Sequence, residues 1–441
     1  MSAESAGHSR REFIGSAAPA LAAGALGLGA VPRVFGALSA PDRIRVGLIG
    51  CGGRGTGAAA QALDADPGVV IWALADAFHD RIDSCLEGLM QHTAKDRVQV
   101  PTERQFAGID VADRLLAEVD VVLLCSPPVF RPAQLAKAVA AGRHVFCEKP
   151  MCVDGPGYRS VMESARIARE RRLALVSGFC WRYSSPERAL FGEILSGRAG
   201  DVVGVECTYL TSPLGVRARK PEWSDLDLQL RNWQHFTWLS GDHIVEQAVH
   251  SVDKMAWAMG GRMPTSCYGV GSRFTREEVP ERGDVYDNFA ILYEYADGPR
   301  NTLMCRQQPN CFNDNTDHIT LSRGYAFING WGPTLWIRDP KGNPVWSWSS
   351  DAEVPNMYQV EHDELFRSIR AGRPINDGAW MANSCLMAIM GRMAAYTGLK
   401  VTWEDARDSD ESMLPADWSP SPRPVPPVPK PGVAPAQPSG S

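Results

Sequence analysis

The chain has 441 residues, of which 44% are hydrophobic and 22% charged, and its formal net charge is −6. This size and composition predict a globular protein of about two domains. The acidic balance argues against a nucleic-acid partner, which usually meets a basic face. The body of the chain has no apolar run of about 18 residues, so we expect no internal transmembrane helix.

The first forty residues, 1–40, are predicted to be a targeting segment and not part of the fold. Arg10 and Arg11, followed by Phe13 and a mildly apolar run over 17–31, are typical of a twin-arginine export signal. A disordered basic N-terminus is the alternative. The eleven cysteines contain no CxxC pair and are interpreted as free thiols. A disulfide-free protein that folds before export fits both observations, so we predict a periplasmic or otherwise exported protein with no other membrane contact.

Strands alternate with helices over residues 41–180, which predicts a Rossmann domain with a doubly wound parallel sheet. The predicted strands are 44–49, 69–75, 119–125, 144–147 and 173–178. The predicted helices are 56–63, 79–91, 110–116, 131–141 and 158–171.

The segment Gly50–Gly55 joins the first strand to the first helix and has the spacing G-x-G-x-x-G. Backbone amides at the start of such a helix bind the pyrophosphate of a dinucleotide. Asp76 ends the second strand, where a carboxylate accepts hydrogen bonds from the ribose hydroxyls of NAD and repels the 2′-phosphate of NADP. We therefore predict NAD as the cofactor, with NADP disfavoured.

Two later strands of this domain end in polar turns at the same sheet edge. One is followed by Ser126 and Pro127, and the other by Glu148 and Lys149. Ligands bind at the carboxyl edge of open α/β sheets. A lysine partly shielded from water there can polarise or deprotonate a hydroxyl group. A plain surface pair of Lys149 and Glu148 is the alternative.

Residues 181–412 are predicted to form a second α/β domain with a large, mostly antiparallel sheet. Its predicted strands are 201–210, 266–274, 288–295, 302–308, 318–321, 325–328, 335–337 and 345–348, and its closing helices are 361–371 and 379–396. Short turns between consecutive strands favour antiparallel pairing. Residues 413–441 are rich in proline and are predicted to be an extended, disordered tail.

A polar cluster marks the predicted helix 241–253 in this second domain. His243, Glu246, His250 and Asp253 are spaced three, four and three residues apart, which places them on one helical stripe. A solvated helix face is one alternative. A divalent metal held by the two histidines and Glu246 is another, and a metal-dependent hydrolase would follow from it.

The chain resembles the Gfo/Idh/MocA oxidoreductase family over about residues 44–402. The matching motifs, in chain order, are the glycine segment, Asp76, Ser126 to Pro128, Glu148 to Pro150, and Arg182 with Tyr183. The resemblance implies an open-faced second sheet that mediates homo-oligomer contacts. It also implies a lysine and a histidine acting on the reacting hydroxyl group. His250 matches the family histidine, whereas Glu246 stands where the family usually has aspartate.

The resemblance and the motifs together assign a role to each candidate residue. The predicted catalytic residues are Lys149, His250 and Glu246. The predicted cofactor contacts are Gly50, Gly52, Gly53, Arg54, Gly55, Asp76, Ser126, Pro127, Glu148 and Lys149. The predicted substrate contacts are Arg182, Trp233, Glu246 and His250, where the Trp233 ring would pack on the C–H face of a sugar or simply on the core. No metal is predicted.

The predicted activity is hydride transfer between a secondary hydroxyl of a sugar or polyol and a tightly bound nicotinamide. Export favours chemistry that restores the cofactor on the same protein, because free NAD is not expected outside the cytoplasm. A glucose–fructose oxidoreductase-like exchange and a transient oxidation that cleaves a glycosidic bond both satisfy this condition. A simple dehydrogenase and a non-catalytic NAD- or sugar-binding sensor remain open.

Overall fold

The fold is described by a computed structural model that covers residues 43–332, 334–349 and 353–432. The predicted signal segment 1–40 lies outside these ranges. The predicted α/β fold class is confirmed, since the described residues form a parallel sheet followed by a mostly antiparallel one.

The first sheet has six parallel strands in the order β3-β2-β1-β4-β5-β6. Its strands are β1 (Ile44–Ile49), β2 (Val69–Asp76), β3 (Gln105–Ala107), β4 (Val121–Leu124), β5 (His144–Cys147) and β6 (Leu175–Ser177). The helices of this region are α1 (Gly53–Ala65), α2 (His79–Leu89), α3 (Ala112–Glu118), α4 (Arg131–Ala140) and α5 (Gly155–Glu170). Strand order reverses between β1 and β4, which opens a ligand-binding crevice at their carboxyl ends.

The second sheet has nine strands in the order β14-β13-β12-β11-β7-β10-β9-β8-β15, and only the β7–β10 pair is parallel. Its strands are β7 (Val202–Thr211), β8 (Ser266–Ser272), β9 (Asn288–Glu294), β10 (Arg300–Gln307), β11 (Thr316–Leu321), β12 (Gly324–Asn329), β13 (Leu335–Arg338), β14 (Pro344–Ser347) and β15 (Val401–Thr402). The associated helices are α6 (Ser185–Leu195), α7 (Asp225–Arg231), α8 (Thr237–Ser240), α9 (His243–Glu246), α10 (Val249–Ala258), α11 (Met357–Arg370), α12 (Gly378–Thr397) and α13 (Trp403–Asp408).

The predicted domain boundary differs from the structure at α11. Leu365, Phe366 and Ile369 of this helix join the core of the first domain, although 181–412 was predicted to be one separate domain. The Arg370 guanidinium contacts the Asp66 carboxylate at 2.8 Å on the far side of α1. The first domain is therefore completed by a helix that returns from late in the chain, and its amphipathic sequence does not say which sheet it covers.

The predicted helix 241–253 is broken into α9 and α10. In an unbroken helix the Glu246 carbonyl would accept the N–H of His250. Here the Lys149 amine donates to that carbonyl at 2.5 Å, and the His250 N–H donates instead to the carbonyl of Gln247 at 3.2 Å. A lysine from the first domain thus takes the place of one helical hydrogen bond.

The described part of the Pro-rich tail, 413–432, has no helix or strand and packs on the protein, which differs from the prediction of a disordered tail. Trp418 lies between Phe130 and Trp238, with ring centroids 5.8 and 6.1 Å away. Several backbone groups of the tail are paired as well; for example, the Pro429 carbonyl accepts the Tyr286 hydroxyl at 2.7 Å. A proline-rich segment is already extended in solution, so its ordering costs little entropy once such partners exist.

All eleven cysteines are free, as predicted, and ten of them are wholly or partly buried. Within the described ranges, no helix is both long enough and apolar enough to cross a membrane.

Candidate active site

A cavity of about 310 Å³ opens at the carboxyl edge of the first sheet, beside β1, β2 and β4. Six of the predicted cofactor contacts line it, namely Gly50, Gly52, Gly53, Asp76, Ser126 and Pro127. The structure therefore brings the glycine segment, the acid of β2 and the turn after β4 to one place, as their strand-end positions predicted.

The glycines of this segment serve two different purposes. A side chain at Gly50 would lie 2.5 Å from the backbone of Cys125, and one at Gly55 would lie 1.9 Å from the Gly50 carbonyl oxygen. A side chain at Gly52 or Gly53 would meet no protein atom within 4 Å. Gly50 and Gly55 thus make the tight turn possible, while the other two leave a space at the start of α1 that suits a pyrophosphate.

Asp76 is held against the glycine segment. Its carboxylate accepts the backbone N–H groups of Cys51 at 2.8 Å and Phe78 at 3.0 Å. Burial raises the pKa of Asp76 above its usual value, and these two hydrogen bonds oppose the rise. Each carboxylate oxygen keeps a lone pair that can accept a ribose hydroxyl.

Arg54 and Glu148 were predicted to contact the cofactor, but neither lines the cavity. The Arg54 guanidinium turns behind the glycine segment, where it donates to Glu148 at 2.5 Å and Gln61 at 2.8 Å. Glu148 in turn accepts the backbone N–H of Lys149 at 3.0 Å. The Glu148 carboxylate attracts the Arg54 guanidinium, which therefore does not line the cavity. The ion pair also links the start of α1 to the turn that carries Lys149.

Lys149 is held by Glu246 of the second domain. Its amine donates to the Glu246 carbonyl at 2.5 Å and lies 3.4 Å from the carboxylate oxygen Oε1. An ammonium group has three N–H donors, so one remains for a ligand. The other carboxylate oxygen of Glu246, Oε2, is buried without a partner among the described residues. Glu246 therefore positions Lys149 and keeps one acceptor for a substrate hydroxyl.

His250 is a buried residue that feels the charge of Lys149. Burial, followed by the positive charges of Lys149 and Lys254, lowers the pKa of His250 well below its usual value, so the ring is neutral near pH 7. Trp181 and Phe179 hold it edge-on, with ring centroids 4.6 and 5.9 Å away. Its Nδ1 is buried without a hydrogen-bond partner in the described structure, a state that a bound ligand would relieve.

The four-residue stripe predicted from spacing is divided among different partners. The His243 ring faces Asp242 at 3.2 Å, and the Asp253 carboxylate is bonded to Arg182 at 2.8 and 2.9 Å. Of the four described residues, Glu246 contacts the Lys149 amine, and His250 lies close enough for the Lys149 charge to lower its pKa. Among the described residues, no three His, Cys, Asp or Glu side chains come together as a metal site, so the metal-bound alternative has no geometric support.

Two predicted substrate contacts lie elsewhere. Arg182 is sandwiched between the rings of Trp257 and Trp380, and its bidentate bond to Asp253 occupies two of its N–H groups. Trp233 lines the nucleotide cavity instead of the Lys149 site.

Several residues of the cavity and of the surroundings of Glu246 were missed by sequence reasoning. Arg81, on α2, and Arg217 line the cavity and place positive charge there. Tyr209, on β7, lies close enough to Glu246 that burial and the Glu246 charge both raise the pKa of its hydroxyl. The position of Arg81 five residues after Asp76 was the one available signal, since it places a cation on the first turns of the helix that follows the ribose strand.

His235, another cavity residue, is expected to make the fold sensitive to acid. Burial lowers the pKa of His235 to about 4, compared with an unfolded value near 6.5. The Arg276 guanidinium donates to the His235 Nδ1 at 3.1 Å, and the His235 Nε2 donates to the Gly215 carbonyl at 3.2 Å. The His235 ring that makes these two hydrogen bonds is neutral. This contribution is complete above about pH 6.5 and is lost as the pH falls toward 4.

We expect His235→Gln to lose less stability than the wild type as the pH falls. From pH 7 to 4.5, the free energy of unfolding of the wild type should fall by about 2–3 kcal/mol more than that of the variant. Urea denaturation at the two pH values measures this difference, and His79→Gln, on an exposed helical turn, is the control. Equal losses in wild type and His235→Gln would contradict the assignment.

Comparison with known proteins agrees with the fold. Residues 44–179 match a family described as "Oxidoreductase family, NAD-binding Rossmann fold", and residues 193–326 match the "GFO/IDH/MocA C-terminal domain". Together the two matches cover more than half of the chain. The chain therefore belongs to the Gfo/Idh/MocA oxidoreductase family, and the predicted NAD-binding Rossmann domain is confirmed.

Individual relatives match this chain at low sequence identity and over part of its length. An inositol 2-dehydrogenase of Cereibacter sphaeroides is 30% identical over 206 residues, which are 47% of this chain and 57% of that protein. The chain thus matches little more than half the length of this curated relative.

Two solved structures share the fold. A levoglucosan dehydrogenase bound to NADH and levoglucosan has a TM-score of 0.63 at 17% identity, covering 82% of this chain and 99% of that one. An aldose-aldose oxidoreductase of Caulobacter crescentus has a TM-score of 0.62 at 17% identity, with the same coverage.

Proposed function

We propose that this protein is an NAD-dependent oxidoreductase that oxidises or reduces a secondary hydroxyl carbon of a sugar or polyol. One observation carries the proposal: the Lys149 amine is held by Glu246 beside a neutral, buried His250. The turn that bears Lys149 starts at the same sheet edge as the NAD-type cavity. The inositol 2-dehydrogenase relative supports a polyol as the substrate class.

Lys149, His250 and Glu246 each have a separate role in the proposed reaction. In the oxidation direction, the Lys149 ammonium donates a hydrogen bond to the reacting hydroxyl oxygen and lowers the pKa of that hydroxyl. Neutral His250 accepts the hydroxyl proton as general base, and returns it when the reaction runs backward. Glu246 holds Lys149 through its carbonyl and can accept a neighbouring substrate hydroxyl at Oε2. A bound nicotinamide supplies the hydride acceptor.

The test uses the purified full-length chain. Mass spectrometry of small molecules released on denaturation should detect NAD or NADH. Incubation with inositols and a panel of sugars should then produce NADH absorbance or, if the cofactor is retained, a change in its bound spectrum. Nicotinamide binding with no turnover on any polyol or sugar would favour the non-catalytic sensor.

We also propose that the protein is exported, because Arg10, Arg11 and the mild apolar run after them form a twin-arginine pattern. Replacing both arginines by lysine should leave the folded protein in the cytoplasm, since this route depends on the arginine pair. Cell fractionation with immunoblotting measures the distribution, and a variant carrying Arg33→Lys is the control. An unchanged distribution for the double variant would contradict export by this route.

Export would favour redox-neutral chemistry, in which one sugar is oxidised and another reduced on the same bound nicotinamide.

We further propose that the second sheet mediates self-association. Its outer face exposes Tyr268 and Val270 on β8 and Met304 on β10, on either side of β9, an apolar patch of the kind that a partner subunit covers. Light scattering of the purified chain tests this.

A further inference from the structure

The cavity beside the glycine segment is walled by both domains. The first domain contributes the strand ends already described. The second contributes Gly215, Arg217 and residues 230–235, which lie on the opposite side of the cavity. We call the segment 215–235 the nucleotide cap. The nucleotide site is therefore not complete within the Rossmann domain.

One ion pair fastens the cap to the first domain. Arg231, the last residue of α7, donates to both carboxylate oxygens of Asp80 at 2.9 and 2.8 Å. Asp80 lies in the first turn of α2, four residues after the ribose acid Asp76. The Arg231 guanidinium also stacks 3.8 Å above the ring of Phe78, which itself lines the cavity. The ion pair between Arg231 and Asp80 therefore lies at the side of the cavity where the nucleotide would bind.

The charges at this place suit an anionic ligand. Arg231 is neutralised by Asp80, but Arg81 and Arg217 have no carboxylate within ion-pair distance in the described ranges. Both line the cavity, whose one acidic lining residue is Asp76. Two guanidinium groups facing a cavity with a single carboxylate leave a net positive charge there, which favours a phosphate-bearing ligand.

The cap is anchored from behind by the Pro-rich tail. The Leu226 N–H donates to the Pro420 carbonyl at 3.0 Å, and the Gln229 side chain donates to the Arg423 carbonyl at 3.1 Å. Trp418 of the tail packs on Phe130, which also lines the cavity. The tail thus joins α7 to the first domain on the outer side of the cap.

We propose that the nucleotide cap retains the bound dinucleotide, with Arg231 as the positioning residue that keeps the cap closed on it through Asp80. This inference rests on the proposed NAD-dependent function and adds that the cofactor leaves slowly. The observations that carry it are the two-domain wall, the bidentate pair at its rim and the tail that holds α7 in place. A retained cofactor is what an exported oxidoreductase needs.

The experiment measures release of NADH from the full-length chain. The protein is loaded with NADH and mixed with excess NAD⁺, and the decay of the bound NADH fluorescence gives the dissociation rate. Arg231→Ala and Asp80→Asn should each release NADH roughly ten-fold faster than the wild type, because a charge-assisted pair that is exposed on one side is lost. High salt should speed release from the wild type more than from either variant.

Arg188→Ala is the matched control. Arg188 also forms a bidentate pair between distant parts of the chain, with Glu364 at 2.5 and 3.0 Å, but it does not line the cavity. Its release rate should equal that of the wild type. Asp80 is 62% exposed, so Asp80→Asn reports on the cap even if Arg231→Ala folds poorly.

The outcomes separate the two proposals. Wild-type rates in both cap variants, with NADH bound, would overturn the cap and leave the proposed function standing. A wild type that binds no nicotinamide dinucleotide would overturn the proposed function, and the cap proposal with it.

Discussion

Replacing Lys149 by alanine should lower kcat by roughly 10²- to 10⁴-fold, the usual range for loss of a positioned acid or base. The physical reason is that the amine is held at 2.5 Å from the Glu246 carbonyl, with one N–H donor left for the reacting oxygen. Removing it takes away the group that stabilises the developing alkoxide. His250→Ala should fall in the same range, because we propose the neutral ring as the acceptor of the hydroxyl proton.

Cofactor binding should survive both substitutions, since neither side chain lines the nucleotide cavity. Steady-state kinetics with the best substrate from the panel measures kcat, and NADH fluorescence measures cofactor affinity. The double variant should be little slower than the slower single variant, because both residues serve one proton transfer.

Lys137→Ala is the matched control for the lysine. Lys137 is an exposed residue of the first domain that pairs with Asp110 and Asp113, and its loss should leave kcat unchanged. If Lys149→Ala kept kcat within a few-fold of the wild type, the catalytic assignment would be wrong. Multiplying effects in the double variant would instead show that the two residues act at different steps.

Gly52→Val should abolish most cofactor binding while leaving the fold intact. Gly52 has φ −76°, which any residue adopts, and a Cβ atom added there meets no protein atom within 4 Å. The added side chain would instead stand in the cavity at the start of α1. Displacing an anion from about two charge-assisted hydrogen bonds should weaken NADH binding roughly 100-fold or more.

Gly50→Ala provides the contrast. Gly50 has φ +99°, and its added side chain would lie 2.5 Å from the backbone of Cys125, so this variant should lose stability. Thermal unfolding followed by circular dichroism should show a lowered Tm for Gly50→Ala and a nearly unchanged Tm for Gly52→Val. Gly192→Val, in open space on α6, controls for adding a branched side chain to an exposed glycine. Normal NADH affinity in Gly52→Val would place the pyrophosphate elsewhere.

Local patterns were sufficient for most of the fold. Continuous apolar runs that end in glycine or polar turns located β1, β2, β4 and β5 to within two residues, because buried parallel strands tolerate few polar residues. The short edge strand β3 was missed, since three residues carry too little pattern. The G-x-G-x-x-G spacing and Asp76 located the nucleotide site, because their chemistry depends on neighbours along the chain and on strand ends that share an edge.

Residue types and their spacing were enough to identify the groups that can do chemistry here, whereas the contacts of each group depend on how the folded chain packs. Arg54 was predicted to bind the cofactor, but its guanidinium donates to Glu148. Glu246 was predicted to act with His250, but its carbonyl accepts the amine of Lys149, 97 residues away in the sequence. The same contact breaks the helix that spacing predicted. Arg231 and Asp80, 151 residues apart, form an ion pair at the nucleotide cavity. Contacts of such separation leave no period in the sequence, because their geometry is set by the packing of two domains and not by the neighbours of each residue.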